Sequence, residues 1–168
     1  MRTLYVLRHA KSDWSDSSLN DFDRPLNDRG RKAAKVIGKE LAKRKLRPDL
    51  VLASPAVRAS QTLKRVEDAS GTPFKVTEDE RIYRAEPNAL IDLIRSAPDA
   101  ATRLMVVGHN PGLQQLVLLL AKPGELRDEA AEKFPTAALA EICFEAESWR
   151  DLAPGDGILE ILLRPRDL

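Results

Sequence analysis

Short apolar runs alternate with segments of helical periodicity through most of this chain. Residues 4–7, 50–53 and 104–107 are apolar runs with the length of buried strands. Each run is followed by a segment whose apolar residues recur at helical spacing. Strands that alternate with helices favour a mostly parallel sheet covered by helices. We therefore predict an α/β fold, a three-layer α/β/α sandwich.

Several predicted helices have recognisable first residues. Asn27 or Asp28 can cap a helix that runs to about residue 45. The pair Ser54-Pro55 suits the N-cap and first position of a second helix, and Asn110-Pro111 repeats that pattern for a later one. A further helix is predicted over residues 87–95. These assignments place a helix after each central strand.

The end of the chain follows a different pattern. Residues 121–135 are polar, which predicts a loop. Residues 138–144 and 158–163 predict two strands with no helix between them, and such strands suggest an antiparallel edge on the parallel sheet. With 168 residues in all, we expect one domain over residues 1–168.

Composition excludes several functional classes. The chain has 27 Lys and Arg against 26 Asp and Glu, a balance that argues against nucleic-acid binding. No apolar run approaches the ~20 residues that span a bilayer, so no membrane partner is expected. Arg8 interrupts the first apolar stretch too early for a signal peptide, and the lone Cys143 excludes a disulfide-built scaffold. We expect a cytoplasmic protein.

Both histidines of the chain directly follow predicted strands. His9 follows the first strand beside Arg8, His109 follows the strand at 104–107, and Arg58 lies in the helix after the second strand. Ligands of parallel α/β sheets bind beyond the carboxyl ends of the strands. Arginine forks and helix N-termini bind phosphate, and a neutral imidazole can attack phosphorus. These residues predict a compact cationic pocket for a phosphoryl group.

Other interpretations of the same residues stay open at this point. A histidine after a strand is often structural. A zinc site would need more His or Cys companions than two histidines provide. Ser54 lacks the G-x-S-x-G context of a serine hydrolase and fits a helix cap better, and no phosphate-binding loop of an NTPase is present.

Four segments, in chain order, resemble the motifs of a known family. They are Leu-Arg-His-Ala-Lys at 7–11, Arg-Pro-Leu-Asn-Asp-Arg-Gly at 24–30, Ser-Pro-Ala-Val-Arg-Ala-Ser-Gln-Thr at 54–62 and Val-Gly-His-Asn-Pro at 107–111. Together they are similar to the signature segments of the histidine phosphatase superfamily, also called phosphoglycerate mutase-like. Ala10 departs from the commonest pattern, in which glycine follows the first histidine, and alanine there needs a backbone that tolerates a Cβ.

The resemblance implies a role for each matching residue. His9 would be the phosphorylated nucleophile, and Arg8, Arg58 and His109 would hold the phosphoryl group and stabilise the transition state. The family uses no metal, and no cofactor is expected. Three further residues of the first two motifs are candidates for substrate binding: Ser12, Arg24 and Asn27. Trp14 is expected to pack on the surface as a loop anchor.

The general acid is the least defined role. Phe74, Val76 and their neighbours predict a short third strand. Superfamily enzymes commonly place a carboxylate after the third strand, and Glu78, Asp79 and Glu80 all lie there. Glu80 is the first choice because it directly precedes Arg81-Ile82-Tyr83, which resembles the segment that follows the third strand in this family. Each of these carboxylates could equally be a solvated surface group.

The small size of the chain resembles the SixA-type branch, whose members are proposed phosphohistidine phosphatases. Arg58 and His109 are only 109 − 58 = 51 positions apart, and this interval must hold a strand, a helix and another strand, which leaves little for a cap, so we expect no cap domain. We therefore expect a metal-independent phosphatase that acts on phosphohistidine of a protein. The alternatives are a small-molecule phosphomonoesterase with the same catalytic core and a phosphate-binding module without turnover.

Overall fold

The computed structural model describes residues 1–168 and contains one mixed sheet of six strands. The strands are β1 (Arg2–Arg8), β2 (Leu50–Ala53), β3 (Val76–Glu78), β4 (Arg103–Gly108), β5 (Leu139–Phe144) and β6 (Ile158–Leu163). Their order across the sheet is β3-β2-β4-β1-β5-β6. The first four are parallel, and β5 and β6 form an antiparallel edge. The predicted mostly parallel sheet with an antiparallel edge is confirmed.

Helices cover both faces of the sheet. They are α1 (Asp28–Arg44), α2 (Val57–Ser70), α3 (Pro87–Arg95), α4 (Gly112–Leu120) and α5 (Glu125–Glu132). Alternate residues of each central strand enter opposite cores, as the two-residue period of a strand requires. Leu4 and Val6 pack with α3 and α4 on one face, whereas Tyr5 and Leu7 pack with α1 and α2 on the other. The three-layer sandwich is therefore confirmed, and no cap domain covers it.

Two helix starts differ from the prediction. Helix α2 begins at Val57, and its N-cap Ala56 makes no side-chain capping bond. Ser54 Oγ instead accepts from Ala56 N at 3.2 Å and contacts His109. Helix α4 begins at Gly112, after Pro111, although Asn110 Oδ1 does accept from the backbone N of Gln114 at 3.2 Å. Helix α2 thus begins two residues later than the Ser-Pro pattern predicts, and α4 begins one residue later than the Asn-Pro pattern predicts.

The segment predicted as a polar loop contains a helix. Helix α5 lies within residues 121–135, and Ala130 is its only buried residue. With no apolar stripe to bury, the helix leaves no periodic signal in the sequence. By contrast, α1 begins after Asn27 as predicted, since Asn27 Oδ1 accepts from Gly30 N at 2.8 Å. No helix is long and apolar enough to span a bilayer.

Candidate active site

The order of the strands brings the two histidines together. Strand β4 lies between β1 and β2, and Arg8 at the end of β1 is in register with Gly108 at the end of β4. The next residues, His9 and His109, therefore emerge side by side, with ring centroids 5.2 Å apart. The predicted convergence of these strand ends is confirmed.

His9 is oriented by a backbone carbonyl. Its Nδ1 lies 2.7 Å from the carbonyl oxygen of its neighbour Ala10. A carbonyl only accepts hydrogen bonds, so Nδ1 carries the proton and Nε2 keeps its lone pair. Burial, with a smaller contribution from the nearby cations Arg58 and Arg8, lowers the pKa of His9 to about 4. At neutral pH, His9 is thus an uncharged imidazole with a free Nε2.

His109 is also held neutral. Its Nε2 lies 2.7 Å from Ser54 Oγ, and the ring of Tyr83 packs edge-on against it at 5.3 Å. Burial lowers the pKa of His109 to about 3, with smaller contributions from His9 and Arg58. Its Nδ1 is buried and has no hydrogen-bond partner. Unpartnered buried polar atoms are rare in folded proteins and often mark a site that a ligand completes.

Two arginines beside the imidazoles have N–H groups without a protein acceptor. Arg8 donates from Nη1 to the carbonyl of Phe134 at 3.1 Å, and its Nε is buried without a partner. Burial lowers the pKa of Arg8. Arg58, the second residue of α2, is buried and also has an unpartnered Nε. These cations, close to the N-termini of α2 and α4, make the end of the sheet strongly attractive to an anion.

Asp21 connects the arginines and was not anticipated from the sequence. Its carboxylate accepts from Arg58 Nη2 at 3.0 Å, from Arg24 Nη2 at 2.9 Å and from the hydroxyl of Tyr83 at 2.5 Å. Burial alone would raise the pKa of Asp21, but the hydrogen bonds from Tyr83, Arg24 and Arg58 outweigh it and lower that pKa below its usual range. Asp21 therefore fixes both guanidinium groups. In the sequence, only the position of Asp21 three residues before Arg24 pointed to a contact between the two side chains.

The predicted substrate-binding residues occupy different environments. Arg24 is buried beneath the Trp14 ring, whose centroid lies 3.4 Å from its guanidinium carbon, and it also donates to Ser12 Oγ. Trp14 itself is 74% exposed. Asn27 is committed to capping α1, and its Nδ2 lies 3.4 Å from the carbonyl oxygen of Ser12. Arg24 and Ser12 thus belong to the buried network around Asp21, whereas Asn27 stabilises the chain next to it.

The three carboxylates at residues 78–80, at the end of β3, differ in their surroundings. Glu78 is exposed in β3, and Asp79 forms an ion pair with Arg81 at 2.6 Å. Glu80 is exposed, and its side chain has no hydrogen-bond or ion-pair partner. Glu80 begins the short 3-10 turn that leads to Tyr83, the residue that contacts both Asp21 and His109. Glu78 and Glu80 are thus both exposed and unpaired, and Glu80 differs in beginning the turn that leads to Tyr83.

Ala10 fits its place after the nucleophile. It is fully buried, and its backbone N donates to Thr62 Oγ1 at 2.9 Å. Its φ is not among the positive values in the chain, so the Cβ causes no backbone strain. The departure from glycine at this position is thus tolerated by the backbone.

Comparisons with known proteins agree with this arrangement. The family model of the histidine phosphatase superfamily (branch 1) matches residues 4–82. An uncharacterized protein of Mycobacterium tuberculosis is 37% identical over 153 residues, which cover 89% of this chain and 93% of the relative. The phosphohistidine phosphatase SixA of Escherichia coli is 27% identical over 147 residues, covering 84% of this chain and 85% of that protein.

A solved structure extends the similarity over the whole chain. The candidate phosphohistidine phosphatase SixA of Agrobacterium tumefaciens superposes with a TM-score of 0.81 at 30% identity, covering 98% of both chains. The matched family model contains the Arg8-His9 segment and the α2 motif with Arg58, and the structural match also includes the strand end at His109. The chain belongs to the histidine phosphatase superfamily, in its SixA-type branch.

Proposed function

We propose that this chain hydrolyses phosphoryl groups through a covalent phosphohistidine on His9, and that its substrate is a phosphohistidine side chain of another protein. Membership of the superfamily supports phosphatase activity. The observation that carries the proposal is the pair of neutral imidazoles, 5.2 Å apart, beside arginines with unpartnered buried nitrogens. An anionic phosphoryl group would satisfy those nitrogens.

In the first step, Nε2 of His9 attacks phosphorus with its lone pair. The P–N bond to His9 forms as the bond to the leaving group breaks, and a phosphohistidine substrate whose ring already carries a proton on its other nitrogen leaves as neutral imidazole. Arg8 and Arg58 face the charge that develops on the phosphoryl oxygens, and such preorganised donors are usually the largest catalytic contribution. In the neutral tautomer that carries its proton on Nδ1, His109 would donate from this buried nitrogen to one of these oxygens.

In the second step, water attacks phosphorus and the P–N bond to His9 breaks. This step releases inorganic phosphate and restores the neutral imidazole. The hydrogen bond between Nδ1 and the carbonyl of Ala10 lets the His9 ring carry positive charge while it is phosphorylated, because the carbonyl dipole stabilises the remaining N–H. The same contact therefore serves both the attack and the intermediate.

Rapid-quench labelling tests the proposal directly. Labelled substrate should leave acid-labile, alkali-stable phosphate on the wild-type protein. His9→Ala should abolish both the label and turnover, while its melting temperature shows whether the variant is folded. Turnover of folded His9→Ala at a near-wild-type rate would contradict the mechanism.

Glu80 is our proposed general acid for substrates that need one. Its side chain is exposed and unpaired, so it is free to protonate a leaving oxygen. Glu80→Gln should slow hydrolysis of alkyl phosphates by about 10²–10⁴-fold, the usual range for general acid catalysis. It should scarcely affect an aryl phosphate or phosphohistidine, because those leaving groups depart without this help. A uniform small effect would make Glu80 a surface carboxylate.

We also propose that the reaction needs no metal ion. Arg8, Arg58 and the N-termini of α2 and α4 already supply positive charge for the phosphate. Activity should therefore survive exhaustive chelation. A loss that Mg²⁺ or Zn²⁺ reverses would overturn this part of the proposal.

The substrate class needs a separate comparison. We would measure kcat/KM for a phosphorylated histidine-phosphotransfer domain and for a panel of small phosphomonoesters. The open end of the sheet, without a cap domain, favours the phosphoprotein. A higher kcat/KM for one of the small esters would favour the small-molecule phosphomonoesterase.

A further inference from the structure

A groove lined by cations lies beside the candidate active site. It has a volume of about 650 Å³ and runs between the first turns of α1, residues 133–136 and the C-terminal turn. Five of its lining residues are exposed and positively charged, and none is acidic: Lys11, Arg29, Lys32, Lys133 and Arg166. In a chain whose net charge is only +1, this is a strong local concentration of positive charge.

These five cations have no internal partners. None forms an ion pair or donates a side-chain hydrogen bond. Arginines close by in the sequence are paired, since Arg31 binds Asp28 and Arg164 contacts both Glu129 and Asp167. The groove therefore keeps a row of cations available to an external anion, at the cost of mutual repulsion.

Backbone contacts connect the lining of the groove to the catalytic residues. Lys11 lies two positions after His9, and the backbone N of Ala137, next to the lining residue Thr136, donates to the carbonyl of His9 at 3.0 Å. The carbonyl of Phe134, next to Lys133, accepts from Arg8. Strand β6 runs parallel to β1, so the C-terminal turn with Arg166 lies at the same end of the sheet. A protein substrate that reaches His9 would therefore bring its surface to the end of the sheet that carries these cations.

We infer that this groove binds an acidic surface of the phosphorylated protein substrate, namely Asp and Glu side chains that flank its phosphohistidine. This inference rests on the proposed function. Exposed lysines and arginines suit carboxylates on a large partner, for which complementary charge speeds association and selects the partner. A nucleic-acid strand is a poorer fit, because none of the lining residues is aromatic and none could stack on a base.

The test uses three synthetic peptides that each carry one phosphohistidine, flanked by Glu, by Gln or by Lys. The groove variant is Arg29→Gln, Lys32→Gln, Lys133→Gln. The control variant is Lys39→Gln, Lys43→Gln, Arg47→Gln, which removes the same charge from exposed, unpaired residues near the other end of α1. p-Nitrophenyl phosphate reports the basal activity of each protein.

The wild-type enzyme should prefer the Glu-flanked peptide. The groove variant should lose about tenfold in kcat/KM for that peptide, the combined effect of three exposed charge pairs, and its rate should depend less on salt. It should hydrolyse p-nitrophenyl phosphate and the Gln-flanked peptide at near-wild-type rates. The control variant should behave as the wild type with all substrates.

The two proposals fail in different ways. If the wild-type protein hydrolyses neither p-nitrophenyl phosphate nor any peptide, the proposed function is wrong. If it hydrolyses all three peptides equally well, or if the groove and control variants lose the same activity, the groove does not read acidic side chains and the inference is overturned. Binding of single-stranded RNA is measured for the wild type and the groove variant as a further check. If the groove variant loses this binding but keeps its activity toward the Glu-flanked peptide, the inference is likewise overturned.

Discussion

Strand β1 has an arginine at each end, and the two differ in what their guanidinium groups contact. At the amino end, Arg2 donates from Nη1 to the carbonyls of Asp99 at 2.8 Å and Ala101 at 3.4 Å, and from Nη2 to the carbonyl of Glu147. At the carboxyl end, Arg8 donates only from Nη1, to a single carbonyl. In both residues Nε is buried without a partner, so Nε does not distinguish them, but only Arg8 also has a terminal nitrogen free of protein partners.

This difference separates a structural arginine from a binding one. Arg2 joins the start of β1 to the segments at Asp99 and Glu147 and lies 5.6 Å from the Trp149 ring, so its donors hold the fold together. Arg8 keeps donors for something that the chain itself does not provide. Burial and charge alone do not distinguish them, whereas the count of satisfied donors does.

Among these variants, Arg8→Lys should have the largest effect on catalysis. It tests the arginine that we assign to phosphoryl binding. Lysine keeps the charge but lacks the planar fork that binds two phosphoryl oxygens. We expect kcat to fall by about 10²–10³-fold, as when one oxyanion donor is lost, with little change in melting temperature. Steady-state kinetics and thermal unfolding measure the two quantities. A variant that keeps its kcat would show that Arg8 supplies only general charge.

Arg2→Lys should have the opposite profile. Lysine cannot reach the three carbonyls that the guanidinium serves, and leaving such groups unpaired costs about 1–3 kcal/mol of unfolding free energy. The value of kcat should stay within about twofold of the wild type. Urea unfolding provides the measurement, and Arg103→Lys is the matched control, since Arg103 is exposed and begins the neighbouring strand β4. Equal stability of the two variants would contradict a structural role for Arg2.

Asp21→Asn should have a smaller effect on catalysis. The carboxylate holds Arg58 and Arg24 in place, and an amide oxygen accepts from them more weakly. We expect kcat to fall by about tenfold, which corresponds to one charge-assisted hydrogen bond. Asp23→Asn, in the same short turn but exposed and without an ion pair, should leave kcat unchanged. Equal kinetics in the two variants would rule out positioning by Asp21.

The last prediction concerns the pH dependence of stability. It bears on the contrast between Arg2 and Arg8 because both histidines lie at the end of β1 where Arg8 lies. The pKa values of His9, about 4, and His109, about 3, lie below the ~6.5 of an unfolded histidine. As pH falls below about 6.5, the unfolded chain therefore binds protons that the folded chain does not, and stability decreases. Each imidazole contributes at most about 1.4 kcal/mol per pH unit in this window.

Urea unfolding between pH 7 and pH 5 measures this dependence. The double variant His9→Asn, His109→Asn should show a shallower decrease in unfolding free energy over the same range. Asp21 acts in a different window: its lowered pKa stabilises the folded state above the normal aspartate pKa, and this contribution is lost only below about pH 4. An unchanged slope in the double variant would exclude the histidines as its source.

Local sequence signals were reliable where a residue acts on its chain neighbours. Asn27 caps α1 as predicted, because the cap bond to Gly30 spans three residues. Ser54 looked like a similar cap, but its hydroxyl contacts His109 at 2.7 Å, a residue far away in the chain. A residue that suits a helix cap thus makes a local bond in one place and a tertiary contact in the other, and only the packing of the neighbouring strand distinguishes the two cases.

The residues that organise the site were harder to predict than those of the motifs. Asp21 and Tyr83 carry no motif of their own, yet their 2.5 Å contact links the loop before α1 to the turn after β3. Arg24 was predicted only as a candidate for substrate binding, and its burial follows from that same network with Asp21 and from the Trp14 ring above it. Such contacts depend on how two distant loops pack.

The sequence by itself determined the alternation of strands and helices, the position of His9 and His109 directly after strands, and the family, because these depend on local periodicity and ordered motifs. Only the tertiary structure decided that β4 pairs with β1, which places His9 and His109 together. It also decided their charge state, since burial lowers both pKa values. Strand pairing and desolvation depend on how the whole chain packs, and no short stretch of sequence determines them.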